Sequence, residues 1–202
     1  MGQQTSSFQV SSTCRFGRIH GILTAEEIKR VEDNVDSIDK CWLNRSMCHP
    51  RVPFWTLGAV TYLEGCDNIT QYHRHRKALN PVLKKTFSWF YDIVERRMSE
   101  ELGDLVVFDD NLALPGFHIF GPKKGVTMTA QECHMLEQPL ASIHTDIQYK
   151  EHMSYWNTFK EVDLKDVLSF TMAIRLPSNG GGLYIWDWAD FDQEMIDTFN
   201  FQ

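Results

Sequence analysis

The stretch Leu140-Ala-Ser-Ile-His-Thr-Asp-Ile-Gln148 decides how this chain is interpreted. Its pattern suits a β-strand, in which alternate side chains project to the same side. His144 and Asp146 are therefore expected to point the same way, with their backbone positions about 7 Å apart. An imidazole and a carboxylate at that spacing can chelate one metal ion. An isolated His-X-Asp tripeptide also arises by chance, as a surface pair or a hydrogen-bonded pair.

Short apolar stretches lie on both sides of this motif. They are rich in Val, Ile and Phe and are punctuated by Pro and Gly, which is typical of strands joined by turns. The pattern predicts a turn at Pro177-Ser-Asn-Gly-Gly-Gly182. The predicted strands cover residues 104 to 108, 116 to 121, 140 to 148, 166 to 176 and 182 to 187.

The front part of the chain predicts helices. Thr24-Ala-Glu-Glu27 is a capping box followed by apolar residues at helical spacing, which predicts an amphipathic helix over 24 to 38. Asn80-Pro81 supplies an N-cap and a first-turn proline for a longer helix that ends at Gly103. The segment from Arg51 to Leu63 suits one or two strands.

Helices followed by antiparallel strands indicate an α+β fold. The chain has 202 residues and 43% hydrophobic content, which suits one core. We expect a flexible N-terminus over 1 to 13 and a single domain over 14 to 202. Within that domain, the helical part spans 24 to 103 and the β-rich part spans 104 to 187.

Composition argues against several classes of function. Acidic residues outnumber basic ones by 27 to 20, and the net charge of -7 gives no general attraction to nucleic acid or anionic membranes. No apolar run approaches the roughly 18 to 20 residues of a membrane span, and the N-terminus lacks the layout of a secretion signal. Met1-Gly2 with Ser6 fits only the loose myristoylation pattern. A cytoplasmic location is the expectation, and the five cysteines, without CxxC spacing, are expected to be free thiols.

The order of segments around the His-X-Asp motif resembles the iron(II)- and 2-oxoglutarate-dependent dioxygenases. These enzymes have a double-stranded β-helix, the cupin-like jelly roll. In that family a hairpin follows the motif strand, its turn is often Gly-Gly, and the returning strand begins with an apolar residue. The likeness covers about a third of the chain, from Leu114 to Asp187. Its segments are Pro115–Phe120, Ala141–Asp146, Leu168–Arg175 and Gly182–Trp186.

The resemblance implies both a fold and a reaction. The fold is an antiparallel jelly roll buttressed by N-terminal helices. His144 and Asp146 are the implied first two Fe(II) ligands, with 2-oxoglutarate and dioxygen as cosubstrates. The reaction is hydroxylation or a related oxidation of a C–H bond in a small-molecule or peptide-like substrate, coupled to formation of succinate and CO2. Because Asp146 is retained, oxidation is favoured over halogenation. Arg175, Tyr184 and Trp186 are candidates for contacts with the cosubstrate or substrate.

The sequence departs from the family after the motif. The family has a second histidine several strands later and then a basic residue that binds 2-oxoglutarate. Here the only histidine after Asp146 is His152, and no Arg or Lys follows Arg175. We therefore expect the jelly roll to be incomplete and its later strands to be missing. His118 is a possible third ligand, or else a histidine satisfied in a core or pocket.

Two other interpretations remain open. One is a catalytically silent jelly-roll protein that binds a partner or ligand without iron. The other is a cupin-type or hydrolytic metal site formed by His144, Asp146 and His118. Other histidines have ordinary structural interpretations: His73-Arg-His75 is predicted to be a solvated basic turn, because Lys77 breaks the HxHxD pattern, and His134 a loop residue.

Overall fold

The computed structural model describes residues 21–46, 52–65, 69–137 and 168–176. Within these ranges the chain forms three α-helices and one three-stranded antiparallel sheet, so the predicted α+β class is confirmed. The jelly-roll topology stays a prediction. The elements are α1 (Ala25–Ser37), β1 (Leu43–Asn44), β2 (Phe54–Leu57), a π-helical turn (Thr61–Gly65), α2 (Ile69–Leu102), β3 (Phe117–Phe120) and α3 (Ala130–Leu136).

Helix α1 begins where the sequence predicts. The Thr24 hydroxyl accepts a hydrogen bond from the Glu27 backbone N–H at 3.2 Å. The Glu27 carboxylate in turn accepts one from the Thr24 N–H at 2.7 Å, which completes the capping box. Val31 is fully buried on the inward side of the helix, so α1 packs as an amphipathic helix.

Helix α2 starts earlier than predicted, at Ile69, and contains Pro81 in its interior. The prediction of a start at Asn80-Pro81 is therefore wrong. The Asn80 amide donates to the Leu112 carbonyl at 2.8 Å and accepts from the Leu114 N–H at 3.1 Å. Its side chain therefore holds the segment that leads into β3 and does not cap a helix. Proline in a helix interior removes one backbone hydrogen bond, which α2 tolerates at this exposed position.

The three strands are ordered β1-β2-β3, with β2 in the middle. On the inner face of the sheet, Phe117 packs against Phe87 of α2 with ring centroids 4.7 Å apart. Both belong to the main hydrophobic core between the sheet and the helices. On the outer face, Thr56 pairs with His118 and Phe54 pairs with Phe120. This outer face carries the candidate site.

The end of β2 and the start of β3 lie in close backbone contact. A Cβ atom at Gly116 would stand 2.3 Å from the Leu57 carbonyl oxygen. A Cβ at Gly58, where φ is +116°, would meet the Gly116 Cα at 3.0 Å. Two glycines are therefore required for these backbones to approach, and their contact fixes where β3 begins.

Two predicted strands are not strands. In the segment 104–108 the Val106 N–H donates to the Ser99 hydroxyl at 2.9 Å and the Phe108 N–H donates to the Glu95 carboxylate at 2.6 Å. Side chains of α2 thus accept the backbone hydrogen bonds that a neighbouring strand would otherwise accept. Val106 and Phe108 pack on the core, which accounts for part of the apolar character of this segment. The segment 168–176, the described part of the predicted strand 166 to 176, also forms no strand, although its Met172 and Ile174 contact the core.

Several other predictions can be compared with the described residues. Cys41 and Cys133 are free thiols as expected, while Cys14, Cys48 and Cys66 lie outside the described ranges. None of the described helices combines the length and the apolar character that crossing a bilayer requires. Also outside the described residues are the N-terminus over 1 to 13, the predicted strands at 140 to 148 and 182 to 187, and the turn at 177 to 182.

Candidate functional site

Four rings form a line on the outer face of the sheet, which we call the aromatic row: Phe120, Phe54, His118 and Tyr62. The Phe54 ring stacks on Phe120 at a centroid distance of 4.5 Å, and it meets His118 edge-on at 5.8 Å. His118 in turn meets Tyr62 edge-on at 6.0 Å. Phe54 is buried, whereas Tyr62 and Phe120 remain 40% and 42% exposed. The row therefore presents an accessible surface that is apolar at one end and polar at the other.

His118 is the polar centre of this row. Its Nε2 atom lies 3.2 Å from the Tyr62 hydroxyl, and within the described part of the chain Nδ1 makes no hydrogen bond. The residue is exposed by surface area, yet partial burial of the ring among neighbouring atoms and, second, the charge of Arg45 lower the pKa of His118. The imidazole is therefore neutral at pH 7. A neutral imidazole can exchange a proton with a ligand or coordinate a metal ion.

A buried carboxylate lies beside the aromatic row. The Glu64 side chain is only 1% exposed, forms an ion pair with Arg45 and accepts a hydrogen bond from His75. His75 Nδ1 lies 2.7 Å from the Glu64 carboxylate, and the Val60 N–H donates to the same carboxylate at 3.0 Å. Arg45 also donates through Nε to the buried Thr56 hydroxyl at 3.0 Å. We call Arg45, Glu64 and His75 the Glu64 cluster. A carboxylate this deeply buried is tolerable because it is paired and hydrogen-bonded.

The cluster corrects one prediction. His73-Arg-His75 does not form a solvated turn but lies within α2, where His75 is half-buried. A carboxylate only accepts hydrogen bonds, so His75 Nδ1 carries the proton. His75 Nε2 then accepts from the Gln71 amide, 3.1 Å away and one helical turn earlier. Since the partners stand far apart along the chain, no spacing motif in the sequence could have revealed them.

The structure describes only part of the predicted site. His144, Asp146, Tyr184, Trp186 and His152 lie outside the described residues. Arg175 is described, and its guanidinium lies 3.8 Å from Glu32 of α1 with 81% of the side chain exposed. Among the described residues, no three His, Cys, Asp or Glu side chains form a group that could hold a metal ion.

His134 also differs from its prediction as a loop residue. It lies in α3, a helix that begins with a capping box at Thr129 and Glu132. Its ring is exposed and stands 3.6 Å from the Glu137 carboxylate. This local pairing gives His134 no connection to the aromatic row.

Comparison with known proteins returned no match, whether to a protein-family model, a curated protein or a solved structure. The resemblance to the oxygenases therefore depends on the sequence motif and the order of segments alone.

Proposed function

We propose that the chain is an iron(II)- and 2-oxoglutarate-dependent oxygenase built on an antiparallel jelly roll. In this proposal it oxidises a C–H bond of a small-molecule or peptide-like substrate and releases succinate and CO2. The observation that carries the proposal is His144-Thr145-Asp146, with a Gly-rich turn further along the chain. One imidazole and one carboxylate are donors that open Fe(II) sites use. Bound iron and 2-oxoglutarate together supply the oxidising power.

One surface of the described residues supports this proposal. The aromatic row offers flat apolar surface at Phe120 together with the neutral His118 ring and the Tyr62 hydroxyl. Binding sites for small molecules combine mostly apolar walls with a few polar groups that fix orientation. In the proposed enzyme, this row orients the substrate and limits the access of water to it. The rings of the row carry no formal charge, because His118 is neutral, so the row suits an uncharged group.

The test is formation of succinate. The 202-residue protein is reconstituted anaerobically with Fe(II) and 2-oxoglutarate, given a pulse of oxygen, and assayed for succinate. We expect succinate from the original protein and none from the His144→Ala variant. His134→Ala is the matched control, because it removes an exposed histidine that pairs only locally with Glu137 and should leave the yield unchanged.

Two negative outcomes are informative. If this chain forms no succinate but a C-terminally extended protein does, the family assignment stands and the missing ligands lie in the extension. If neither protein forms succinate, the catalytically silent binding protein is the better interpretation.

The second metal site proposed for this chain uses His144, Asp146 and His118. The favouring observation is that His118 is neutral and has one ring nitrogen without a hydrogen bond within the described residues. Metal analysis after reconstitution separates this site from the oxygenase. Preference for zinc or manganese, lost in His118→Ala, supports it, and iron retained by that variant argues against it.

A further inference from the structure

We infer that Glu64 is a positioning residue: through Arg45 and His75 it holds the turn that keeps the Tyr62 hydroxyl on His118. The inference takes the Tyr62–His118 pair as part of the proposed oxygenase site. It concerns how that pair is held, and its test requires neither iron nor cosubstrate.

The first step is the closure of the turn around Tyr62. The Val60 N–H donates to the Glu64 carboxylate at 3.0 Å, and the Glu64 N–H donates to the Val60 carbonyl at 3.1 Å. Residues 60 and 64 are thus joined by two hydrogen bonds, and Tyr62 lies midway between them. The position of the carboxylate therefore sets the position of Tyr62.

The second step is the anchoring of the carboxylate itself. One of its oxygens accepts hydrogen bonds from both Arg45, which follows β1, and His75, which lies in α2. Arg45 is fixed in turn by the Thr56 hydroxyl of β2 and by a 2.8 Å bond from its own N–H to the Phe54 carbonyl. The Glu64 carboxylate therefore joins the turn to both the sheet and the long helix.

Thr56 and His118 are direct partners on neighbouring strands, so the group that fixes Arg45 stands beside the imidazole. The contact of Arg45 with Thr56 consequently links the Tyr62 turn to the part of the sheet that carries His118. A buried ion pair contributes little net stability compared with an apolar replacement, and buried charges are retained in some proteins for the specific geometry they impose. The Glu64 cluster serves this purpose here.

The experiment measures how fast diethyl pyrocarbonate modifies His118. This reagent attacks the unprotonated nitrogen of an imidazole, which is Nε2 in the tautomer that accepts from the Tyr62 hydroxyl and carries its proton on Nδ1. Peptide mass spectrometry reads each histidine separately. Exposed His134 is the internal reference. We expect the His118 rate to rise about fivefold in Tyr62→Phe and in Glu64→Gln, as loss of one ordinary hydrogen bond permits. The double variant should react no faster than Tyr62→Phe alone, because both changes release the same contact.

Glu100→Gln is the matched control. It removes a carboxylate from an exposed ion pair with Arg96 on α2 and should leave the His118 rate unchanged. A folded Glu64→Gln protein in which His118 reacts at the original rate overturns the inference. So does a Tyr62→Phe protein that shows no increase.

A second variant covers the case in which Glu64→Gln fails to fold because Arg45 is left buried without its partner. His75→Ala removes one anchor of the carboxylate and keeps the Arg45 pair. We expect a smaller rise of the His118 rate in the same direction. A folded His75→Ala protein without any rise overturns the inference, whatever the succinate assay shows.

Discussion

At the scale of single residues, Gly116 has no room for a side chain, because a Cβ would stand 2.3 Å from the Leu57 carbonyl oxygen. We expect Gly116→Ala to lower the free energy of unfolding by about 2–3 kcal/mol, since the backbones of β2 and β3 must separate. Gly103→Ala is the comparison. There φ is +70° and the space is open, so only backbone strain of about 1 kcal/mol is expected. Urea unfolding measures both variants, and equal losses would contradict the steric explanation.

Tyr91 predicts how stability changes at high pH. Its hydroxyl donates to the Pro115 carbonyl at 2.8 Å, and burial raises the pKa of Tyr91 far above the ordinary tyrosine value. A raised pKa means that the folded state prefers the neutral phenol. Its contribution to stability is therefore fully present below the unfolded-state pKa near 10 and is lost as the pH rises towards the folded-state pKa. We expect the urea midpoint to fall between roughly pH 9 and 12, and to fall less in Tyr91→Phe. An identical slope in that variant would show that other groups cause the loss.

At the scale of elements, Pro81 predicts the behaviour of α2. It is exposed within the helix, so replacing it removes no packing, and alanine restores the missing backbone N–H. We expect Pro81→Ala to raise the free energy of unfolding by about 1–3 kcal/mol. Lys85→Ala, at another exposed position of α2, should change it little. A drop in stability for Pro81→Ala would mean that the local geometry imposed by proline is itself required.

The elements also show what sequence patterns can and cannot predict. Helix α1 is predicted almost to the residue, because its capping box depends on neighbours three positions apart. The start of α2 is predicted wrongly, because the Asn80 side chain does not cap a helix. It hydrogen-bonds the backbone of Leu112 and Leu114, 32 and 34 residues away. The strand predicted over 104–108 is wrong, because an apolar pattern does not reveal that the side chains of Ser99 and Glu95 provide the hydrogen bonds there.

At the scale of the whole molecule, the sequence identifies His118 as a candidate but misses the residues that organise its surroundings. His118 stands out because it interrupts an apolar strand, and that strand is confirmed. Arg45, Glu64 and His75 give no comparable signal, because only the packing of α2 on the sheet brings them together. The His144–Asp146 pair stays a prediction from the motif.

The position of Glu64 also bears on the order of folding. Its partners lie 19 residues before it and 11 residues after it along the chain. Until both have arrived, the carboxylate keeps its shell of water, because giving up that hydration for a single partner is unfavourable. The first strands and the long helix are consequently expected to form their contact together, so that the exclusion of water from one carboxylate makes two parts of the chain fold as a single cooperative unit.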